Sequence, residues 1–211
     1  MIEILVTTLQ VSLSASLIAF ILAIPLTLWM ANKKQSYTKT MLMMGLTMAN
    51  SLPPVFVGLV LYLLFSFTGF LKEMELLFTR SAMITAQIIL SLPVVVISAY
   101  SSIRIYLAER RNFFQILHLT RLDRLKITLK ENISTLQVAY LVGLGRCLSE
   151  VGAVMIVGGN IRGDTRVLTS SIVLETSRGN ISQAVYLGLM LLGISVILST
   201  TILIFQKNAY E

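Results

Sequence analysis

Residues 4–32 read ILVTTLQVSLSASLIAFILAIPLTLWMAN, a stretch that contains no charged side chain. A helix needs about 20 mostly apolar residues to cross the hydrocarbon core of a membrane. The stretch is longer than the apolar part of a cleavable signal peptide, and no basic segment precedes it. We therefore predict that it forms a transmembrane helix.

Four more apolar stretches follow along the chain. Charged residues are absent from 40–71, 81–103 and 179–206, and 133–157 is equally apolar apart from two charges. Charged residues make up 13% of the chain, against about 25% in a soluble domain. This composition predicts an all-α polytopic membrane protein that forms a single transmembrane domain over 1–211. The five predicted transmembrane helices lie at about 8–31, 41–66, 81–103, 133–157 and 182–205.

The basic residues predict the orientation of the chain. Lys and Arg are enriched in loops on the cytoplasmic side of membrane proteins. We therefore expect the N-terminus outside and the C-terminus inside, with eleven basic residues in the cytoplasm and five outside. The net charge of +7 then reflects topology, and no nucleic-acid partner is expected. The cytoplasmic residues are Lys33, Lys34, Lys39, Arg104, Arg110, Arg111, Arg121, Arg124, Lys126, Lys130 and Lys207, and the outer ones are Lys72, Arg80, Arg162, Arg166 and Arg178.

Several kinds of site are disfavoured by the residues available. The chain has one cysteine, Cys147, which we expect to be a packing residue, and one histidine, His118, which we expect to be solvated or at an interface. The stretch GGNIRGDT at 158–165 has the glycine spacing of a phosphate-binding loop, but Asp164 stands where that motif needs lysine. We therefore expect no ATP site, no catalytic residue, no metal and no cofactor in this chain.

The segment 104–131 is the largest segment predicted to face the cytoplasm. It contains no glycine or proline, and its apolar residues recur at helical spacing among basic ones. One interpretation is an amphipathic helix on anionic lipid headgroups. The other is a helix docked in a groove of a cytoplasmic partner, with Phe113 and Phe114 as anchors. The composition does not separate these alternatives, although a helical loop between two spans is well placed to transmit force.

Arg146 and Glu150 are the two charges in the fourth predicted span. Because they are four residues apart, we expect both side chains on one face of the helix. A charge at membrane depth costs about 2.5–3.5 kcal/mol on insertion scales and normally faces a partner or a wet cavity. The pair is therefore either a structural tie between helices or a pore-side element that senses the gate.

A polar segment, 158–181, follows this span and is predicted to form an outer lip or gate. Gly158 and Gly159 are expected to end the helix at the outer face. The amide, guanidinium and hydroxyl groups that follow suit the passage of a tetrahedral oxyanion. The alternatives are a solvated loop and a site where Arg162 or Arg166 contacts an external binding protein. The polar residues are Asn160, Arg162, Thr165, Arg166, Thr169, Ser170 and Ser171.

Two sequence strings resemble a known family: NSLPPVFVGLVLYLLF at 50–65 and RCLSEVGAVMIVGGNIRGDTRVLTSSIVLE at 146–175. Together with five spans and a helical loop between the third and fourth, they resemble the permease subunit of a type I ABC importer. The resemblance is to the oxyanion branch, closest to tungstate permeases, with molybdate and sulfate permeases next. It covers nearly the whole chain and implies a multi-pass protein of the cytoplasmic membrane of a prokaryote.

The resemblance also implies the partners. Two copies of the chain would form one pathway for uptake of the oxyanion, a cytoplasmic ABC ATPase dimer would bind the 104–131 loops, and an extracytoplasmic binding protein would deliver the substrate. ATP hydrolysis would belong to the separate ATPase. The Glu-Ala-Ala loop motif of the family is degenerate here, falling on Phe114, Gln115 and Ile116 with Thr120 in the glycine position. The residues expected at the ATPase are Arg110, Arg111, Phe113, Phe114, Gln115, Ile116 and Thr120.

Two other functions remain as alternatives. An ion-coupled secondary transporter would show inverted repeats and several acids within its spans, whereas this chain shows no repeat and has only Glu150 there. A membrane scaffold or sensor would need only an amphipathic 104–131 segment. That function leaves the polar stretch 160–171 without a role.

Overall fold

A computed structural model describes residues 1–32, 36–67, 69–117 and 119–208 of the chain. Lys33 and Lys34, predicted to be cytoplasmic, and His118, predicted to be solvated or at an interface, lie outside these residues. The described residues form helices and connecting turns without a β-strand. The helices are α1 (Ile2–Asn32), α2 (Tyr37–Asn50), α3 (Pro54–Phe67), α4 (Gly69–Glu73), α5 (Arg80–Glu109), α6 (Arg111–Ile116), α7 (Arg121–Glu131), α8 (Ile133–Ser149), α9 (Gly152–Gly158), α10 (Leu168–Ser177) and α11 (Ile181–Asn208).

Three of the helices, α1, α5 and α11, are each long and apolar enough to cross a membrane without interruption. They contain the segments 8–31, 81–103 and 182–205 indicated by the sequence. Pro25 lies inside α1 and Pro93 inside α5, and neither ends its helix. Membrane helices tolerate proline because neighbouring groups can satisfy the backbone carbonyl that proline leaves free.

The two other predicted spans are bent rather than continuous. The segment 41–66 is divided between α2 and α3, which meet at 98°, and 133–157 is divided between α8 and α9, which meet at 58°. Pro53 and Pro54 explain the first bend, because proline has no N–H and disfavours helical geometry in the residue before it. The described residues therefore hold three continuous candidate spans, or up to five if each bent pair crosses once.

The helices enclose two buried apolar clusters at successive depths of the bundle. One joins α3, α5 and α9 through residues such as Leu61, Met83 and Val154, and the other joins α1, α5 and α8 through residues such as Met30, Val96 and Ala139. Close approach of α5 and α8 depends on Gly143, since an added Cβ would lie 2.5 Å from Val95 Cγ2. The α11 helix stays mostly exposed at the edge of the bundle, as a lipid-facing or partner-facing helix would.

Candidate functional site

Glu150 forms the junction at the bend in the fourth predicted span. Its backbone is extended (φ −74°, ψ 127°), so α8 ends before it and α9 begins after it. Its Oε1 accepts a hydrogen bond from the backbone N–H of Ala153 (3.1 Å), and its backbone carbonyl accepts one from Thr169 Oγ1 (3.0 Å). Glu150 is 5% exposed and connects α8, α9 and α10. Glu150 therefore lies just past the end of α8 rather than inside a continuous fourth helix, and its side chain caps α9.

Arg146 remains close to Glu150 in spite of the bend. Arg146 Nη2 lies 3.9 Å from Glu150 Oε2, which makes an ion pair but is too long for a hydrogen bond. The Nε of Arg146 is buried and has no partner in the described part of the chain. The guanidinium therefore has one counter-charge but not all of its hydrogen bonds, in a segment that is otherwise apolar.

Gln87 of α5 completes the junction, and the sequence did not predict this role. Its Nε2 donates to the backbone carbonyl of Cys147 (3.0 Å), a carbonyl near the end of α8 that also accepts the backbone N–H of Glu150 (3.3 Å). Gln87 is buried, and its Oε1 has no partner within the ranges that the structure describes. An amide side chain in the apolar stretch 81–103 could have indicated this role, because a buried amide normally forms a hydrogen bond with a specific partner.

The two bent spans pack against each other where α3 and α9 begin. An added Cβ at Gly58 would lie 2.7 Å from the Cα of Ala153, and one at Gly152 would lie 2.6 Å from Val55 Cγ2. Only glycine permits this separation without a shift of the backbone or the neighbouring side chain. The bends at 51–53 and at 150–151 therefore lie side by side.

The segment after α9 folds into a compact polar turn. Gly159 (φ 67°) and Asn160 (φ 52°) are left-handed, so α9 ends at Gly158 as the double glycine predicts. The Thr165 hydroxyl donates to the carbonyl of Gly158 and accepts from the N–H of Ile161 (3.0 Å). These bonds close the turn on itself.

Arg166 and Ser170 meet at Asn160. Arg166 Nε donates to Asn160 Oδ1 (3.2 Å), its Nη2 donates to the Asn160 carbonyl (3.2 Å), and Ser170 Oγ donates to the same Oδ1 (2.9 Å). The hydroxyls of Thr165, Thr169 and Ser170 are buried and have acceptors inside the chain. In this conformation Thr165 and Ser170 stabilise the turn and Thr169 stabilises the Glu150 junction, and their role in an anion path stays a prediction.

Arg162 differs from these residues. It is exposed, and no hydrogen bond or ion pair joins it to the rest of the described structure. Among the residues predicted to contact an oxyanion or a binding protein, it is the cation most open to either.

The polar turn is tied to the beginnings of α1 and α5. Arg80 Nε donates to the carbonyl of Asp164 (3.0 Å) and lies 3.3 Å from its Oδ1, while Arg80 Nη1 donates to Gln10 Oε1 (2.9 Å). The N–H of Leu168 donates to Thr8 Oγ1 (2.9 Å). The segments predicted to lie outside the membrane therefore meet at one end of the bundle.

The two phenylalanines of the predicted docking segment lie on different sides of α6. Phe114 is 4% exposed and packs against Tyr106 of α5, with ring centroids 6.5 Å apart. Phe113 is 43% exposed, and Ile116 and Leu117 beside it are also exposed. In this conformation Phe114 belongs to the chain's own packing, and Phe113 is the phenylalanine that a partner can reach.

The other residues predicted at the ATPase lie around this exposed surface. The guanidinium of Arg110 lies 5.7 Å from the centroid of the Phe113 ring, and Arg111 and Gln115 are exposed. Thr120 caps α7, because the N–H of Asp123 donates to its hydroxyl (3.2 Å).

In the described residues no group of three or more His, Cys, Asp and Glu side chains could hold a metal ion.

Comparison with known proteins found close relatives by sequence, although no family model matches the chain. The tungstate uptake system permease protein TupB of Peptoclostridium acidaminophilum is 36% identical over 198 residues, which cover 94% of this chain and 86% of the relative. A probable anion ABC transporter permease protein of Haloferax volcanii is 34% identical over 199 residues (92% and 85%). The tungstate uptake system permease protein TupB of Campylobacter jejuni is 40% identical over 151 residues (71% and 62%).

Proposed function

Since the chain belongs to the family of ABC-transporter permeases, we propose that it is the membrane subunit of an importer that carries an oxyanion, tungstate, into the cytoplasm. A permease is a transport component rather than an enzyme, and the chain is a multi-pass protein of the prokaryotic inner membrane. The observation that carries the choice of substrate is that two relatives, 36% and 40% identical, are named tungstate uptake permeases.

The proposed topology has five spans, with the N-terminus outside and the C-terminus in the cytoplasm. Three spans are α1, α5 and α11, and the other two are the bent pairs α2–α3 and α8–α9. The contacts within the bundle support this arrangement: the N–H of Phe78 donates to the Val157 carbonyl (2.8 Å), which joins two segments proposed to be outside. Lys39 lies 5.4 Å from the ring centroid of Tyr100, which joins two segments proposed to be near the cytoplasm.

Single-cysteine labelling tests the orientation. In a Cys147→Ser background, Arg162→Cys should react with an impermeant maleimide in intact cells, and Arg121→Cys should react only after lysis. The reverse pattern would contradict the proposed orientation without contradicting a role in transport.

The proposed partners are a second copy of this chain, a cytoplasmic ABC ATPase dimer and an extracytoplasmic binding protein. The exposed apolar surfaces of α3 and α11 support a second copy, because some of this surface would be covered by it. The exposed surface of α6, with Phe113 and Ile116 among basic residues, supports docking in a groove of the ATPase.

The proposed anion path runs past the two adjacent bends and the polar turn. Arg146, with its buried and unpaired Nε, and exposed Arg162 are the cations available to attract an oxyanion. The hydroxyls of the polar turn would become available only if the turn opened during transport. Gly158, Gly159 and the Glu150 junction are the positions at which the backbone can bend.

Uptake by cells tests the proposed function. Cells that lack the chain should lose uptake of tungsten from low concentrations of tungstate, measured by elemental mass spectrometry, and regain it with the wild-type gene. An excess of sulfate should leave the uptake unchanged. Uptake that is the same with and without the chain would contradict the proposal, and full inhibition by sulfate would exclude tungstate as the preferred substrate.

A further inference from the structure

A groove between α1, α7 and α8 has no role in the proposed transport path. Its volume is about 420 Å³, and its lining is almost wholly apolar. Phe20 and Ile24 form the α1 side, and Ile133 and Tyr140 form the α8 side. The rings of Phe20 and Tyr140 meet edge to face, with centroids 5.4 Å apart. The groove is therefore a shaped apolar surface that the chain itself leaves unfilled.

The groove lies between two candidate membrane spans. It lies between the candidate span α1 and the bent span formed by α8 and α9, and α7 lies across one end. From Ile133 to Tyr140 the α8 side extends for about 10 Å along the helix axis. An acyl chain is the component of the membrane that matches an apolar groove beside a membrane-spanning helix.

Basic residues stand at the end of the groove where α7 lies. Lys130 lines the groove directly, and Lys126 lies one turn earlier on the same face of α7. Both are exposed, and neither has a hydrogen bond or an ion pair with another described residue. Burial and the negative charge of Glu131 raise the pKa of Tyr106 in α5, so this acid next to Lys130 also acts on the neighbouring helix.

We propose that this groove binds an anionic phospholipid, with one acyl chain between α1 and α8 and the phosphate beside Lys130 and Lys126. A basic end on an apolar groove matches an amphiphile with a negative headgroup. A soluble anion would leave the apolar part of the groove empty. The site is independent of the proposed substrate and of the direction of transport.

Native mass spectrometry of the full chain in detergent, with dioleoyl phosphatidylglycerol or dioleoyl phosphatidylcholine added, tests the headgroup preference. The wild type should retain phosphatidylglycerol in preference to phosphatidylcholine. Lys126→Gln with Lys130→Gln should lower this preference about five-fold for each lysine removed. The matched control, Arg104→Gln with Arg121→Gln, removes two exposed charges outside the groove and should keep the wild-type preference.

A second variant tests whether the lipid occupies the groove. Ile133→Trp fills it from the α8 side and should reduce retention of both lipids, and Ile24→Trp fills it from the α1 side with the same expected result. Equal retention of both lipids by the wild type, or an unchanged preference in the lysine variant, would overturn the proposal. Dissociation of a dimer by Ile133→Trp, with lipid retention unchanged, would instead make the groove an interface between two copies and would also overturn it.

Discussion

Glu150 is the residue whose replacement tests the geometry of the bent span most sharply. In Glu150→Ala the N–H of Ala153 loses its acceptor, which lies 3.1 Å away, and a lost helix cap costs about 1 kcal/mol. Arg146 also loses its counter-charge. Arg146 Nη2 and Glu150 Oε2 are 3.9 Å apart, and the Arg146 side chain is 31% exposed, so the pair lies between an exposed and a buried ion pair. We therefore expect its loss to cost a further amount of about 1–2 kcal/mol. The total is about 2–3 kcal/mol.

Glu150→Gln separates the two contributions. The amide keeps an oxygen for Ala153 but removes the charge near Arg146, so only the ion-pair part of about 1–2 kcal/mol should be lost. For a protein of this size each kcal/mol lowers the unfolding midpoint by about 2–4 °C. We therefore expect Glu150→Ala to lower the midpoint by about 4–12 °C and Glu150→Gln by roughly half as much.

The assay is thermal unfolding of the purified protein in one detergent, followed by scanning fluorimetry. Glu73→Ala is the matched control, because Glu73 is an exposed acid at the end of α4 and its loss should leave the midpoint unchanged. Equal shifts for Glu150→Ala and Glu150→Gln would refute the capping role. Midpoints like that of the wild type in both variants would refute the whole account of the junction.

Three further predictions concern other parts of the structure. Phe113→Ala should weaken co-purification with the ATPase at normal thermal stability, whereas Phe114→Ala should destabilise the chain by about 3–5 kcal/mol; equal behaviour of the two variants would contradict their assignment to different surfaces. Arg162→Glu should lower tungstate uptake several-fold without a change in unfolding midpoint, and normal uptake would make its segment a solvated loop. Gly58→Ala should cost about 1–3 kcal/mol because its Cβ would meet the α9 backbone, while Gly45→Ala, with nothing within 4 Å of its added Cβ, should not destabilise the protein.

The apolar segments could be read from the sequence because transfer into lipid depends on composition over about 20 residues rather than on tertiary contacts. The first bend also had a local signal in Pro53 and Pro54. The second had none of comparable strength, because it depends on partners distant in the chain, such as Gln87 and Thr169. Composition therefore predicts which segments can span a membrane, but it does not predict the position at which a span is interrupted.

The sequence gives the hydrogen-bonding groups of the polar residues but leaves open which way the side chains point. Thr165, Thr169 and Ser170 are hydroxyl donors, but whether they point to a path or to the backbone depends on which acceptors the folded turn supplies. The two phenylalanines had no local signal that told them apart, because adjacent side chains on a helix point only about 100° apart and both can enter one groove. The contact of Phe114 with Tyr106, a residue of another helix, separates them.

Transport into proteoliposomes shows whether ATP drives the movement of tungstate through this chain. The chain is reconstituted with its ATPase and binding protein, ATP or ADP is enclosed on the ATPase side, and tungstate is added on the other side. Tungsten should accumulate inside only with ATP and only when all three components are present. Accumulation driven by an ion gradient without ATP would contradict the account, and so would the absence of tungsten transport in a complex that hydrolyses ATP.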